Sequence, residues 1–171
     1  MFHKFIKKED ILKDLSEYHT IIARESITFE ALQNSFEGRE KKPVILNFPD
    51  PAFTLGKTEL LLPEGFAEGN TIGINVSPMI LDNEKQSGIT LENYRTLLRF
   101  LIDETDMQIA LIPHVVWQKN DDRKPIRQLY EEFQSTGRVV EIPDGSCTEL
   151  KGYIARCRFF IGARTHATIA A

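Results

Sequence analysis

From residue 71 onward, short apolar runs alternate with stretches in which apolar residues recur every three or four positions. The runs cover residues 71–76, 107–114, 138–142 and 158–162. Short buried strands separated by amphipathic helices are typical of a parallel sheet whose strands are connected by helical crossovers. The pattern therefore predicts an α/β fold with four parallel strands and flanking helices in this part of the chain.

The stretches between these runs carry recognisable helix signals. Thr90 is predicted to cap the first helix, because threonine is a favoured N-cap residue. A second helix is predicted over residues 124–135, with Gly137 as its left-handed stop. The third begins at Ser146, which forms the S-x-x-E pattern of a capping box with Glu149.

The first fifty residues show a similar pattern, with two predicted helices and two predicted strands. The helices cover residues 8–18 and 27–34, and the strands cover residues 20–23 and 44–48. Residues 49–70 contain three of the eight prolines and three glycines, so they break the periodicity. We predict that residues 1–62 end one α/β half, that 63–70 are a linker and that 71–171 form a second half.

Both ends of the sequence suggest a longer protein. The last residues, HATIAA, look like the start of a helix without a glycine stop or a polar tail. The two strands before residue 50 are too few for an independent sheet. We therefore expect that the second half is truncated at its C-terminal end and that the chain is the middle of a larger molecule.

Composition excludes several classes of partner. The 21 Lys and Arg residues against 25 Asp and Glu residues give a net charge of −4, without the basic excess that nucleic-acid binding needs. No run approaches the ~20 apolar residues of a membrane span, and the opening MFHKFIKKEDILKD turns acidic before a signal-type apolar core can form. These features predict a cytoplasmic protein. Two cysteines without a zinc-binding spacing predict neither a disulfide framework nor a metal site.

The segment FFIGARTH holds the most pointed group of chemically active residues. A predicted strand ends at Gly162 and a helix follows, and ligands of open α/β sheets bind at such strand ends. A helix start favours an anion, and Arg164 adds a fixed fork of donors that can bind one bidentately. His166 can give or take a proton near neutral pH. The alternative interpretation is that Arg164 forms an ion pair and that His166 caps the helix or packs in the core.

Polar side chains also follow the other predicted strands. Asn75 comes at the exit of the first strand of the second half and His114 ends the second strand, so parallel strands would place both at the same edge as Arg164 and His166. We predict Asn75 and His114 as substrate-binding residues. As alternatives, Asn75 supports a turn and His114 is a structural histidine beneath a loop.

Two further sites carry charged residues before a predicted helix. The pair Asp121 and Asp122 could bind a hydroxyl or a metal, but its position predicts helix capping instead. Arg24 follows a strand of the first half and is predicted to contact substrate from there. A surface ion pair is the alternative interpretation for Arg24.

Four segments of the chain resemble, in the same order, the polysaccharide pyruvyl transferase family. They read IIARESITFEAL, FPDPAFTL, IALIPHVVWQKNDD and ELKGYIARCRFFIGARTHATIAA. The resemblance covers roughly residues 20–171, and the last segment is the most specific. It implies two Rossmann-like halves in a GT-B-like arrangement, with the active site in the cleft between them.

The resemblance also implies an activity: pyruvate is transferred from phosphoenolpyruvate onto two hydroxyls of a hexose in a cell-surface glycan, as a cyclic ketal. Arg164 and Arg24 would contact the anionic donor, His166 would act as acid and base, and His114 would orient donor or sugar. Phosphoenolpyruvate is then a substrate, with no separate cofactor and no metal. The glycan acceptor would be free or lipid-linked, and a lipid-linked acceptor would bring the protein into peripheral contact with a membrane.

Two other functions remain open from the residues. A nucleotide-sugar glycosyltransferase of GT-B type has the same architecture, because a fold does not fix a reaction. A non-catalytic α/β binding module of the signalling type would need a carboxylate after the first strand. The segment GINVSP offers none.

Overall fold

The computed structural model describes residues 8–171. Residues 1–7 lie outside this range. They begin the opening stretch from which the sequence predicts that no signal-type segment is present. The chain divides into two compact units, one ending at Phe53 and one beginning at Thr54. The predicted domain limits at residues 62 and 71 remain a prediction about a larger protein.

The first unit contains two helices and a two-stranded parallel sheet. Its elements are α1 (Lys8–Leu15), β1 (Thr20–Ala23), α2 (Ser26–Phe36) and β2 (Val44–Asn47), and a 3-10 turn follows at Pro51–Thr54. β1 and β2 pair in parallel, with Thr20 opposite Val44. The Glu25 carboxylate caps α2 by accepting hydrogen bonds from the backbone N–H groups of Ile27 and Thr28 at 2.8 and 2.7 Å.

The second unit contains the four predicted strands, which form one parallel sheet. Its elements are β3 (Thr71–Asn75), α3 (Pro78–Leu81), α4 (Ile89–Glu104), β4 (Gln108–Leu111), β5 (Val116–Trp117), β6 (Asn120–Asp121), α5 (Arg123–Phe133), β7 (Val139–Glu141), α6 (Cys147–Ile154), β8 (Phe159–Gly162) and α7 (Thr165–Ala170). The strand order is β7-β4-β3-β8, and β5 and β6 form a separate antiparallel hairpin. Numbered by appearance in the sheet, this is the 3-2-1-4 order of a doubly wound fold. The predicted α/β fold, a Rossmann-like parallel sheet flanked by helices, is confirmed.

Both faces of this sheet are buried, because alternate residues of each strand contribute to different cores. Ile72 and Ile74 of β3 pack with α4 and α5 on one face. Ala110 and Ile112, in and after β4, pack with α6 and α7 on the other. Burying both faces explains why the strands read as continuous apolar runs.

Close contacts between β3 and β8 leave no room for a side chain at position 73. A Cβ on Gly73 would lie 2.7 Å from Cδ2 of Phe160 and 2.8 Å from Sγ of Cys157. Burial also raises the pKa of the Cys157 thiol to about 12, so that the thiol stays protonated and unreactive.

The segment that precedes β3 belongs to the second unit and packs against α6 and the residues around it. Phe66 is buried in the core beneath α6. The backbone N–H of Thr58 donates to the carbonyl of Thr148 at 3.0 Å, and Glu59 forms an ion pair with the buried Arg156.

The helix starts confirm one predicted cap and correct another. Ser146 and Glu149 form the predicted capping box, with Glu149 Oε2 accepting from the Ser146 N–H at 2.8 Å. Thr90 does not cap α4. The N-cap position is held by Gly88 at φ +82°, and the preceding loop turns back so that the Glu84 carboxylate accepts from the N–H groups of Gly88 and Thr90. The Glu84 carboxylate, six residues before Thr90, therefore does the capping that was predicted for the Thr90 hydroxyl.

Candidate functional site

The carboxyl ends of β3, β4 and β8 meet at one edge of the second sheet. Asn75, the last residue of β3, pairs in register with Gly162, the last residue of β8. The chain continues from β8 into Arg164, which occupies the N-cap position of α7. Because β4 and β8 lie on opposite sides of β3, the connections diverge here. This is the switch point where doubly wound folds bind their ligands.

A fully buried carboxylate, Asp122, lies at the centre of this edge. Its Oδ2 accepts a hydrogen bond from Asn75 Nδ2 at 3.0 Å. The same oxygen accepts from the backbone N–H groups of His114 and Val115 at 3.1 and 3.0 Å. Asp122 therefore ties the end of β3 to the loop that follows β4.

Arg164 completes this network with a buried ion pair. Its Nη2 donates to Asp122 Oδ1 at 2.6 Å, and its Nε donates to the same oxygen at 3.2 Å. Nη2 also donates to Asn120 Oδ1 at 2.7 Å. The third nitrogen, Nη1, takes no part in these bonds. The ion pair that was the alternative interpretation for Arg164 is present in the structure. The contact of Arg164 with a donor substrate remains a prediction.

His114 lies close enough to Asp122, Arg164 and His166 to interact with all three electrostatically. Burial is the main cause that lowers the pKa of His114. The charges of His166 and Arg164 lower it further, while Asp122 opposes them. His114 Nδ1 is buried and has no hydrogen-bond partner among residues 8–171. His166 is exposed on the first turn of α7. The site thus combines an inner, neutral imidazole with an outer, solvent-accessible one.

The predicted capping role of Asp122 is wrong, because its carboxylate makes no cap bond to α5. Its neighbour makes the local contact instead: Asp121 Oδ1 accepts from the backbone N–H of Arg123 at 3.0 Å. Sequence reasoning missed Asp122 and Asn120 as parts of the site. No local sequence signal marks them, because the β5–β6 hairpin and long-range contacts bring them to the strand ends, where Asn120 accepts from Arg164 and Asp122 accepts from Arg164 and Asn75.

A comparison with protein families agrees with the resemblance of the sequence segments. The model of the family described as polysaccharide pyruvyl transferase matches residues 3–171. The chain belongs to the polysaccharide pyruvyl transferase family. Membership implies a transferase whose acceptor is a polysaccharide. Among curated proteins and among solved structures, no significant match was found.

Arg24, the remaining predicted site residue of this pyruvyl transferase family member, lies in the first unit. It follows β1, and its Nη1 donates to Asp50 Oδ2 at 2.5 Å. Its side chain is 55% exposed, so the guanidinium keeps access to solvent. The ion pair that was the alternative interpretation for Arg24 is present in the structure. The contact of Arg24 with substrate remains a prediction.

The described part of this family member lacks both a membrane-spanning helix and a metal-binding cluster. Within residues 8–171, no helix combines the length and the apolar character that crossing a bilayer requires. The same range contains no group of three or more His, Cys, Asp or Glu side chains arranged to hold a metal ion.

Proposed function

We propose that this protein transfers pyruvate from phosphoenolpyruvate onto two hydroxyls of a hexose in a cell-surface glycan, forming a cyclic ketal. One observation carries the proposal beyond family membership. Two imidazoles, His114 and His166, interact electrostatically beside a buried Arg164–Asp122 pair at the switch-point edge of the sheet. Proton transfer is the chemistry that this arrangement supports best.

Ketal formation moves two protons, and the site offers groups to handle them. A general acid protonates the methylene carbon of phosphoenolpyruvate, which leaves C2 electron-poor. The first sugar hydroxyl then attacks C2 and loses its proton to a base. The C2–O bond to phosphate breaks, the second hydroxyl attacks C2, and its proton leaves with the phosphate. We propose His166, which is exposed at this edge, as acid and base, because an imidazole can both give and take a proton in this chemistry.

His114 has a different role in this scheme. Because its pKa is lowered, its ring is neutral at pH 7 and keeps a lone pair that can accept a hydrogen bond from a hydroxyl. The backbone bond from His114 to Asp122 fixes the position of the residue. We therefore propose that His114 orients donor or sugar rather than binding an anion.

The anionic donor requires cations, which Arg164 and Arg24 would supply. Asp122 already compensates the positive charge of Arg164. We therefore propose that the Nη1 group of Arg164 holds the donor through directional hydrogen bonds, with little contribution from net charge. Arg24 is more exposed and shares its charge with Asp50. We propose Arg164 as the positioning contact to the donor and Arg24 as the second donor contact.

The glycosyltransferase alternative rests on one observation, the 3-2-1-4 strand order, because such folds bind nucleotides at the same edge. Calorimetric titration of the full-length protein with phosphoenolpyruvate and with UDP-glucose separates the two functions. Saturable binding of phosphoenolpyruvate, with release of inorganic phosphate once a glycan acceptor is added, supports pyruvyl transfer. Binding of UDP-glucose alone would replace it with glycosyl transfer.

Matched variants show where the donor binds. Arg164→Lys keeps the charge but loses the planar fork, so phosphoenolpyruvate binding should weaken at least about tenfold. Arg156→Lys is the control, because Arg156 is also buried and ion-paired in the second unit but lies outside the site. Its binding should match that of the wild type. Equal binding by both variants would remove Arg164 from the donor site.

A further inference from the structure

A cavity of about 300 Å³ opens beside His114 on the second unit. Its walls come from the segment that follows β4 and from the stretch that runs from the loop after β7 into the start of α6. Both wall segments follow the carboxyl ends of adjacent strands, at the same edge as Arg164 and His166. The cavity therefore lies on the side of His114 toward β7, whereas Arg164 lies toward β8, and its volume falls at the lower end of small-molecule sites.

Trp117 stands at this cavity with 75% of its surface exposed. It is the one tryptophan of the sequence, and it projects from the β5–β6 hairpin. An indole left in solvent forgoes a large hydrophobic gain, so a partner that covers it would be favourable. The apolar C–H face of a pyranose ring is such a partner, because it packs flat on an aromatic ring.

The other walls favour a neutral polyhydroxy ligand over an anion. Val116 and Leu150 supply apolar surface, and Asp144 and His114 supply hydrogen-bonding groups. Among the described residues that line the cavity, there is no lysine or arginine. A phosphate-bearing ligand would thus meet the Asp144 carboxylate in the cavity, while the nearby Arg123, which interacts electrostatically with Asp144, lies outside the lining. Sugar hydroxyls, in contrast, donate readily to Asp144.

We propose that this cavity is the subsite for the acceptor hexose, with Trp117 as its stacking platform and Asp144 as a hydrogen-bond acceptor for its hydroxyls. The inference rests on the proposed pyruvyl transfer and deepens it. A hexose seated here shares the His114 wall with the donor edge, so that its hydroxyls lie next to the imidazole pair.

Steady-state kinetics of the full-length protein test the subsite with methyl β-galactoside, methyl β-glucoside and methyl α-mannoside as acceptors. Trp117→Ala and Asp144→Asn should each raise the acceptor KM at least tenfold and leave the KM for phosphoenolpyruvate within twofold. Trp117→Phe keeps an aromatic face and should raise the acceptor KM less than Trp117→Ala does. Phe100→Ala is the control, because Phe100 is a 57% exposed aromatic residue on α4 that does not line the cavity.

A binding measurement separates failure of the subsite from failure of the reaction. The difference in fluorescence between wild type and Trp117→Phe reports Trp117 alone, and the same three methyl hexosides should change it saturably. If hexosides bind but phosphoenolpyruvate is never turned over, the subsite stands and the proposed reaction falls. If turnover continues with unchanged acceptor KM in Trp117→Ala and Asp144→Asn, the subsite falls and the reaction stands. A response to UDP but to no hexoside, or no response at all, would also overturn the subsite.

Discussion

Removal of the Asp122 carboxylate tests the central interaction of the site. Asp122→Ala leaves the Arg164 guanidinium buried without its counter-charge, and it removes the acceptor of two backbone N–H groups, those of His114 and Val115. Breaking one partner of a buried ion pair typically costs about 3–5 kcal/mol. The lost hydrogen bonds lie within that range rather than adding to it, because they share the same two oxygens.

Urea unfolding followed by Trp117 fluorescence measures the effect in the second unit. With a urea m-value of about 2 kcal/mol/M, a loss of about 4 kcal/mol lowers the midpoint by about 2 M. Asp121→Ala is the matched control, because the neighbouring Asp121 pairs locally with Arg123, whose side chain is 49% exposed. That pair should be worth only about 1 kcal/mol.

A double-mutant cycle completes the test. Arg164→Ala should also destabilise, and the double variant should cost clearly less than the two single variants together, because it leaves no unpaired charge. If Asp122→Ala moved the urea midpoint no further than Asp121→Ala, or if the two losses simply added, the reasoning from a buried ion pair would be refuted.

Three further predictions address single residues. His166→Ala should abolish turnover while phosphoenolpyruvate binds within about tenfold of wild type. His19→Ala is the control, because His19 is exposed on the first unit, and it should leave kcat unchanged. A near wild-type rate for His166→Ala would disprove the role of His166 as acid and base. Because the pKa of His114 lies below its unfolded value of about 6.5, the unfolded state binds more protons below that pH. The free energy of unfolding should therefore fall as the pH drops below about 6.5, and urea titrations of His114→Gln should show a shallower fall. Gly152→Ala should destabilise by about 1–3 kcal/mol in thermal unfolding, against the usual gain in a helix, because its Cβ would lie 2.6 Å from the carbonyl oxygen of Thr58.

The strands were predictable because a strand that is buried on both faces of the sheet consists of consecutive apolar residues. Ile72, Ile74, Ala110 and Ile112 are all nearly or fully buried, although they face different cores. Caps were predictable only where the capping group is local. The Ser146 box lies within four residues, whereas Glu84 reaches α4 across a loop that no periodicity describes.

The site was predictable in part for the same reason. Four of the predicted residues lie at or shortly after the ends of strands, and parallel pairing of those strands brings them to one edge: Asn75, His114, Arg164 and His166. Asp122 escaped prediction because its partners are distant in sequence: Asn75 is 47 residues away and Arg164 is 42. Its local sequence, an acidic residue before a helix, resembles that of a cap, and only tertiary structure distinguishes the two roles.

Gly162, two residues before Arg164, connects the packing of this edge to its chemistry. A Cβ on Gly162 would lie 2.6 Å from Cγ2 of Thr168, so that α7 packs against the end of β8 at a distance only glycine permits. The first turn of α7 is closed by the Thr168 N–H, which donates to the carbonyl of Arg164 at 3.1 Å. With helix and strand held this close, Arg164 sits at the junction, and its guanidinium turns back to Asp122 while His166 remains exposed. The sequence GARTH therefore determines the positions of its reactive groups as well as their chemistry. Gly162 allows the close packing that sets where the side chains of Arg164 and His166 lie.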